Sequence, residues 1–181
     1  MKCTVFIATS MDGYIADQNG SIAWLDRANQ VVPTGEDCGY SAFFKEIDVL
    51  VMGRKTFDTV LGFGFWPYEG KRVVVLTSQD SRLIPVELSG KVEFSTESPS
   101  LLIKRLSGIH PNLAVYVDGG QVIRSFIKAG LIDEMIVTQI PVLLGSGISL
   151  FADMGVAIDL EVLSVQHFDF GYVQVHSRLK Y

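Results

Sequence analysis

Apolar residues along this chain fall into short, dense runs. Those at 3–9, 49–52, 72–77, 92–94 and 113–117 are rich in valine, isoleucine, leucine and phenylalanine, the pattern of strands covered on both faces. Between most of them the spacing becomes helical, near 40–46, 55–61, 100–106 and 121–128, the last followed by the helix stop Ala129-Gly130. Such alternation predicts an α/β chain with a mostly parallel sheet. After Gly130 the pattern changes. Residues 133–142 predict a strand, 143–155 a glycine-bearing loop, and 160–168 with 172–179 an antiparallel hairpin turning at Asp169-Phe170-Gly171.

The stretch 10–39 has turn pairs at Asp12-Gly13 and Asn19-Gly20, one apolar anchor in Trp24 and little periodicity. It predicts a long loop, acting as a lid or substrate wall or else packed on the surface. With no linker, repeat or low-complexity segment, residues 1–181 are expected to form a single domain.

Three strands lead into anion-compatible chemistry. The run 113–117 continues into Asp118-Gly119-Gly120-Gln121-Val122-Ile123, a strand, a paired-glycine turn and a helix start. Two residues without Cβ admit a ligand to the backbone, and the opening amides present free N–H groups, although a tight turn alone would look the same. Strand 49–52 continues into Gly53-Arg54-Lys55-Thr56. Cations at a helix start oppose its dipole, which suggests an anion between them and the helix end, against the alternative of two solvated side chains. Strand 72–77 ends in the hydroxyls of Thr77 and Ser78, followed by Gln79. Ligands of open α/β sheets lie at such strand ends.

Composition narrows the function classes. The net charge is −5 over 181 residues, with no basic tail or cluster, so nucleic acid is not an expected partner. Arg54, Lys55, Lys71 and Arg72 are expected to form a local patch sized for one small phosphorylated ligand. No apolar run approaches a membrane span. Cys3, in the first strand, and Cys38, at a helix start, have no metal-ligand spacing and are expected to be free buried thiols in a reducing, cytoplasmic setting. A 48% apolar composition with only 19% charged residues implies strands buried on both faces or an apolar surface reserved for a partner subunit, and on the second ground a homodimer is expected.

Taken together, Phe6-Ile7-Ala8-Thr9-Ser10-Met11-Asp12-Gly13-Tyr14-Ile15-Ala16, Asn19-Gly20 with Trp24, Met52-Gly53-Arg54-Lys55-Thr56, Leu76-Thr77-Ser78-Gln79, Asp118-Gly119-Gly120 and Leu143-Leu144-Gly145-Ser146-Gly147 follow one family order. The chain resembles the dihydrofolate reductase superfamily, and within it the reductase domain of the bifunctional riboflavin-biosynthesis deaminase/reductase and its stand-alone bacterial relatives. That resemblance implies a single-domain, three-layer fold with a mostly parallel central sheet and an antiparallel C-terminal hairpin. It also implies an NADPH-dependent reductase of a small pterin- or pyrimidine-like heterocycle. Ala8, through its backbone, and Ile15 would face the nicotinamide. Gly53, Arg54, Lys55 and Thr56 would hold phosphates, Thr77 and Ser78 the ribose 2′-phosphate region, and Gly119, Gly120, Gln121, Val122 and Ile123 the pyrophosphate. Trp24 and Gly145 would stand on the substrate side.

The departures bear on the substrate. Tyr40 stands where dihydrofolate reductases carry a carboxylate under the pterin, while Glu36 and Asp37 just upstream read as its substitutes or as helix caps. Dihydrofolate is therefore not the expected substrate. The additional basic and acidic set that takes a ribityl or ribose phosphate in the riboflavin-pathway enzymes has no counterpart here. Asp12 is a candidate proton donor or a turn residue, Tyr40 a substrate contact or a packing aromatic, and Asp118 a turn-holding acceptor. Gly62-Phe63-Gly64-Phe65-Trp66-Pro67 fails the spaced-glycine dinucleotide pattern and reads as a turn packed under the sheet. His110, His167 and His176 read as structural or surface residues, and no metal is expected. A nucleotide-binding sensor or assembly protein without turnover and a flavin-binding α/β protein are the competing classes.

Overall fold

The parallel strands form where the sequence is densely apolar, the C-terminal antiparallel strands where apolar and polar residues alternate, and helices where apolar positions recur every third or fourth residue. The computed structural model describes residues 1–78, 84–152 and 154–181, so Gln79 of the third motif lies outside the described residues. In chain order the elements are β1 (Lys2–Ser10), β2 (Tyr14–Ala16), α1 (Ala23–Ala28), α2 (Tyr40–Lys45), β3 (Val49–Gly53), α3 (Arg54–Leu61), β4 (Arg72–Leu76) and β5 (Val92–Ser95). Then follow α4 (Pro99–Ile109), β6 (Ala114–Val117), α5 (Gly120–Lys128), β7 (Glu134–Ile140), β8 (Ile148–Ser149), β9 (Asp159–His167) and β10 (Val173–Lys180). The expected strands and helices are all present within a few residues. The stretch expected to be a loop, 10–39, instead contains β2, α1 and a 3-10 turn at Asn29–Val31; elements of three to six residues are too short to leave a periodic signature.

Within the fold two compact units stand out, Met1–Thr4 with Glu46–Ile132, and Val5–Lys45 with Asp133–Tyr181. In the first, strands run β5-β4-β3-β6 and on to the opening residues of β1, all parallel. Val49, Leu50, Val51 and Met52 are buried, as are Val73 to Val75, because helices cover parallel strands. Helix α5 buries Val122, Ile123, Phe126 and Ile127 on one face. Ser98 caps α4, its Oγ accepting from Leu101 N at 3.4 Å, with Pro99 in the first turn.

Strand register separates the expected basic patch. Arg72 is level with Val49, at the start of β3, whereas Arg54 follows Gly53, which is level with Leu76. Four residues of strand lie between, about 13 Å. Arg72 donates to Glu93 at 2.9 Å and Lys71 to Ile47 O at 2.5 Å, while Arg105 binds both Glu93 and Glu97 at 2.8 Å. Lys71 and Arg72 are thus tied into the far end of the sheet and do not join Arg54. The turn at 62–67 is also not packed under the sheet: Phe63 and Phe65 are exposed, and Trp66 meets Phe57 and Tyr68 edge-on.

The second unit holds the rest of β1 and the antiparallel strands β7, β10 and β9, with β2 and β8 as a small separate ladder. The hairpin β9–β10 turns at Asp169-Phe170-Gly171, where Gly171 has φ of 95°. Strand β9 is exposed along nearly its whole length. His176 accepts or donates at 2.8 Å to Glu134 across the strands, the structural role expected of it.

Candidate functional site

The carboxyl ends of β3, β4 and β6 form one edge of the first unit. Val51 is level with Val117, and Asp118 N donates to Val51 O at 2.8 Å, so the turns leading into α3 and α5 are neighbours. They lock together through their glycines. Gly119 has φ of +85°, and a Cβ there would collide with Thr56 Oγ1; a Cβ on Gly53 would come to 3.2 Å from Val122. Packing therefore accounts for Gly53 and Gly119, and it sets two helix starts side by side.

Neither start is capped by a side chain. The first intrahelical bond of α5 runs from Ile123 N to Gly119 O at 2.9 Å, which leaves the amides of Gly120, Gln121 and Val122 as its orphan donors. Ile123 is a correction to the expected phosphate set, since its amide is used and its side chain is fully buried. Asp118 Oδ1 accepts from Gly119 N at 2.7 Å, the turn-holding role expected, and burial pushes its carboxyl up to about 6. Arg54 is not a bare cation: its guanidinium pairs with Asp58 at 2.9 Å and lies 4.9 Å from the Phe94 ring centre. Lys55 is exposed and Thr56 half-buried beside it. Thr77 N donates to Ser95 O at 3.0 Å as β4 ends, and Ser78 is exposed at the same edge.

In the second unit, Asp12 joins two loops. Its Oδ1 accepts from Ser10 Oγ at 2.6 Å and from Leu144 N at 3.1 Å, and Oδ2 accepts from Gly145 N at 2.7 Å. Met11 N to Val142 O, Leu150 N to Gly13 O and the β2–β8 pairing continue the seam. A Cβ on Gly147 would strike Ala16 O, so this loop also needs its glycine. The Ser10 hydroxyl bond, with the two amides, holds the Asp12 carboxyl below the usual carboxylate range. Asp12 is thus an ionised acceptor and loop clamp, a correction to its reading as proton donor. Ile15 is half-buried on β2.

A cavity of about 530 Å³ lies within this unit, the size of a small-molecule site. Phe6 and Ala8 of β1, Thr138 and Ile140 of β7, and Tyr40 at the start of α2 contribute walls; Leu25, Asn29, Val32 and Tyr172 line it as well. Tyr40 meets Phe6 edge-on at 5.5 Å and stacks on Phe44 at 5.5 Å, so it is both a packing aromatic and a wall. Trp24 does not line the cavity: it is 7% exposed, in a core cluster with Ile140, Phe168 and Tyr172. The indole, expected on the substrate side, packs in this cluster behind the cavity wall, because α1 turns it inward.

Sequence reading missed several residues here. Gln174 Nε2 donates to Cys38 O and to Thr138 Oγ1, both at 2.9 Å, and Tyr172 Oη donates to Asn29 Oδ1 at 3.2 Å. The alternation of β10 was the only available signal for Gln174. Cys38, expected buried at a helix start, is half-buried in the turn before α2, with φ of 53°. Glu36 and Asp37 hold that turn, accepting from Cys38 N at 2.7 Å and from Gly39 N and Ser41 N at 2.9 Å. This is the capping role, performed at the cavity rim.

Among the described residues no cluster of His, Cys, Asp or Glu could hold a metal ion, and no helix is long and apolar enough to cross a membrane. The family model "RibD C-terminal domain" matches residues 1–174. The Bacillus subtilis protein YwjB, uncharacterized, is 35% identical over 97% of this chain and 96% of its own length. A protein of Shewanella sp. PV-4 provisionally assigned to riboflavin biosynthesis superposes with a TM-score of 0.90 at 37% identity, covering 100% of both chains. The diaminohydroxyphosphoribosylaminopyrimidine deaminase/5-amino-6-(5-phosphoribosylamino)uracil reductase of Thermotoga maritima shares the fold, with a TM-score of 0.70 at 17% identity over 99% of this chain and 56% of that one.

Proposed function

Because the chain belongs to the RibD C-terminal domain family, we propose that it is an NADPH-dependent oxidoreductase that transfers a hydride to a small pterin- or pyrimidine-like heterocycle. The observation that carries this reading is the pair of uncapped helix starts locked together by Gly53 and Gly119. Orphan amides and the positive ends of two helices favour phosphate groups. In the first unit, the amides of Gly120, Gln121 and Val122, with Thr56, Lys55 and Arg54, hold the phosphates, and Thr77 and Ser78 offer donors to the 2′-phosphate region. In the second unit, Ala8 and Ile15 face the nicotinamide, and the loop carrying Gly145 is fixed by Asp12.

Bound NADPH supplies the hydride; the protein's part is orientation and exclusion of water. The cavity suits that part, since Phe6, Val32, Ile140 and the Tyr40 ring give it apolar walls. Asp12 keeps its negative charge and positions a loop, so Tyr40 is the candidate for direct contact with substrate.

Titration of the purified chain with NADPH and NADH, followed by nicotinamide fluorescence and thermal stability, tests the reading. Selective, tight binding of NADPH is the expected result, followed by NADPH oxidation when pterins and aminouracils are screened. Failure to bind either dinucleotide overturns it.

A further inference from the structure

The cavity of the second unit has a charge that hydride transfer does not by itself require. Glu36 and Asp37 stand at its rim, and among the described residues no lysine, arginine or histidine lines it. Both carboxylates are held in place by backbone amides, Glu36 by Cys38 N and Asp37 by Gly39 N and Ser41 N. The Ser41 bonds also keep the Asp37 carboxyl below the usual range, so it is anionic at neutral pH. A phosphoryl group entering here meets like charge and finds no cation to pair with, and an unpaired anion taken from water is penalised. The remaining surface is apolar and aromatic, with Phe6 and Tyr40 set edge-on, and it accepts the faces of a flat ring. Thr138 and Asn29 add polar groups to the lining.

Resting on the reductase reading, we propose that this cavity selects a planar, phosphate-free heterocycle, neutral or cationic, and rejects phosphoribosylated substrates of the kind in the Thermotoga protein's name.

The full chain, with and without saturating NADP⁺, is titrated calorimetrically with two matched pairs: 5-amino-6-ribosylaminouracil and its 5′-phosphate, and 6-hydroxymethylpterin and its monophosphate. The unphosphorylated member of each pair is expected to bind at least roughly tenfold more tightly, and Glu36→Lys to narrow the gap to about threefold. Glu36→Gln, which keeps the acceptor for Cys38 N, is expected to narrow it less. Equal or tighter binding of the phosphorylated members, an unchanged gap in Glu36→Lys, or no binding of any member overturns the proposal. Loss of NADP⁺ binding with the preference intact instead overturns the reductase reading alone.

Discussion

Thr56 Oγ1 occupies the space that a Cβ on Gly119 would need. The two residues open different helices, so this contact fixes the spacing of both starts. Gly119 carries a second constraint in its φ of +85°, which L side chains adopt at a cost. Gly119→Ala is expected to lose about 2–4 kcal/mol of stability from strain and collision together. Urea unfolding measures it. In a Thr56→Ala background the penalty should shrink, because the collision goes and the strain stays; a purely additive pair would show that the contact carries no energy.

Arg54 lies on the Phe94 ring and pairs with Asp58, an arrangement that presents a guanidinium edge without leaving the charge bare. If it grips the 2′-phosphate, Arg54→Ala weakens NADPH by about tenfold and NADH by much less. Equal losses for the two dinucleotides would take the side chain away from the 2′-phosphate, and no loss would take it away from the phosphates altogether.

Asp12 gives a prediction for the seam between the loops at 10–14 and 142–150. Asp12→Ala removes the acceptor of Leu144 N and Gly145 N, so these two amides should exchange hydrogen faster while those of β7 do not change. The folded carboxyl titrates below its unfolded value of about 3.9. Its contribution is therefore present above that pH and is lost as pH falls through the lower folded value. Thermal melts of the wild type and Asp12→Ala should converge in acid; a constant difference would contradict the clamp.

Asp118 has the opposite sign. Burial raises its folded pKa to about 6, above the unfolded value of about 3.9. Between the two values the folded chain holds a proton that the unfolded chain has released, so stability falls as pH rises across that window, by roughly 3 kcal/mol in all. Asp118→Asn, which can still accept from Gly119 N, should abolish this slope and be the more stable protein at pH 7.5. Urea midpoints at pH 4 and pH 7.5 decide it, and a wild type without the slope would refute the assignment.

The two interlocked turns were legible in the sequence because strand, glycine and helix start are consecutive there. Local order in the chain gives Gly53 to Thr56 and Gly119 to Val122 their placement, and the structure added only that the two turns interlock. Lys71 and Arg72 were misplaced because proximity in sequence says nothing about which end of a strand a residue occupies; parallel register does. Trp24 was misjudged for a related reason, since a six-residue helix leaves no periodicity from which to tell an inward indole from a wall. Asp12 looked like a free carboxylate because its partners Leu144 and Gly145 are more than a hundred residues away, beyond any local pattern. The cavity depends on the same kind of remote pairing, through Gln174 and Tyr172.

Cys38 makes the cavity its own reporter. It is half-buried at the wall, whereas Cys3 is buried, so a maleimide or iodoacetamide dye would label one position of the native chain. Burial, with the charges of Glu36 and Asp37, pushes the Cys38 thiol up, and labelling therefore proceeds faster in mildly alkaline buffer than at neutral pH. A bound molecule shields that thiol whatever its chemistry, so protection from alkylation ranks a compound library by occupancy without a turnover assay.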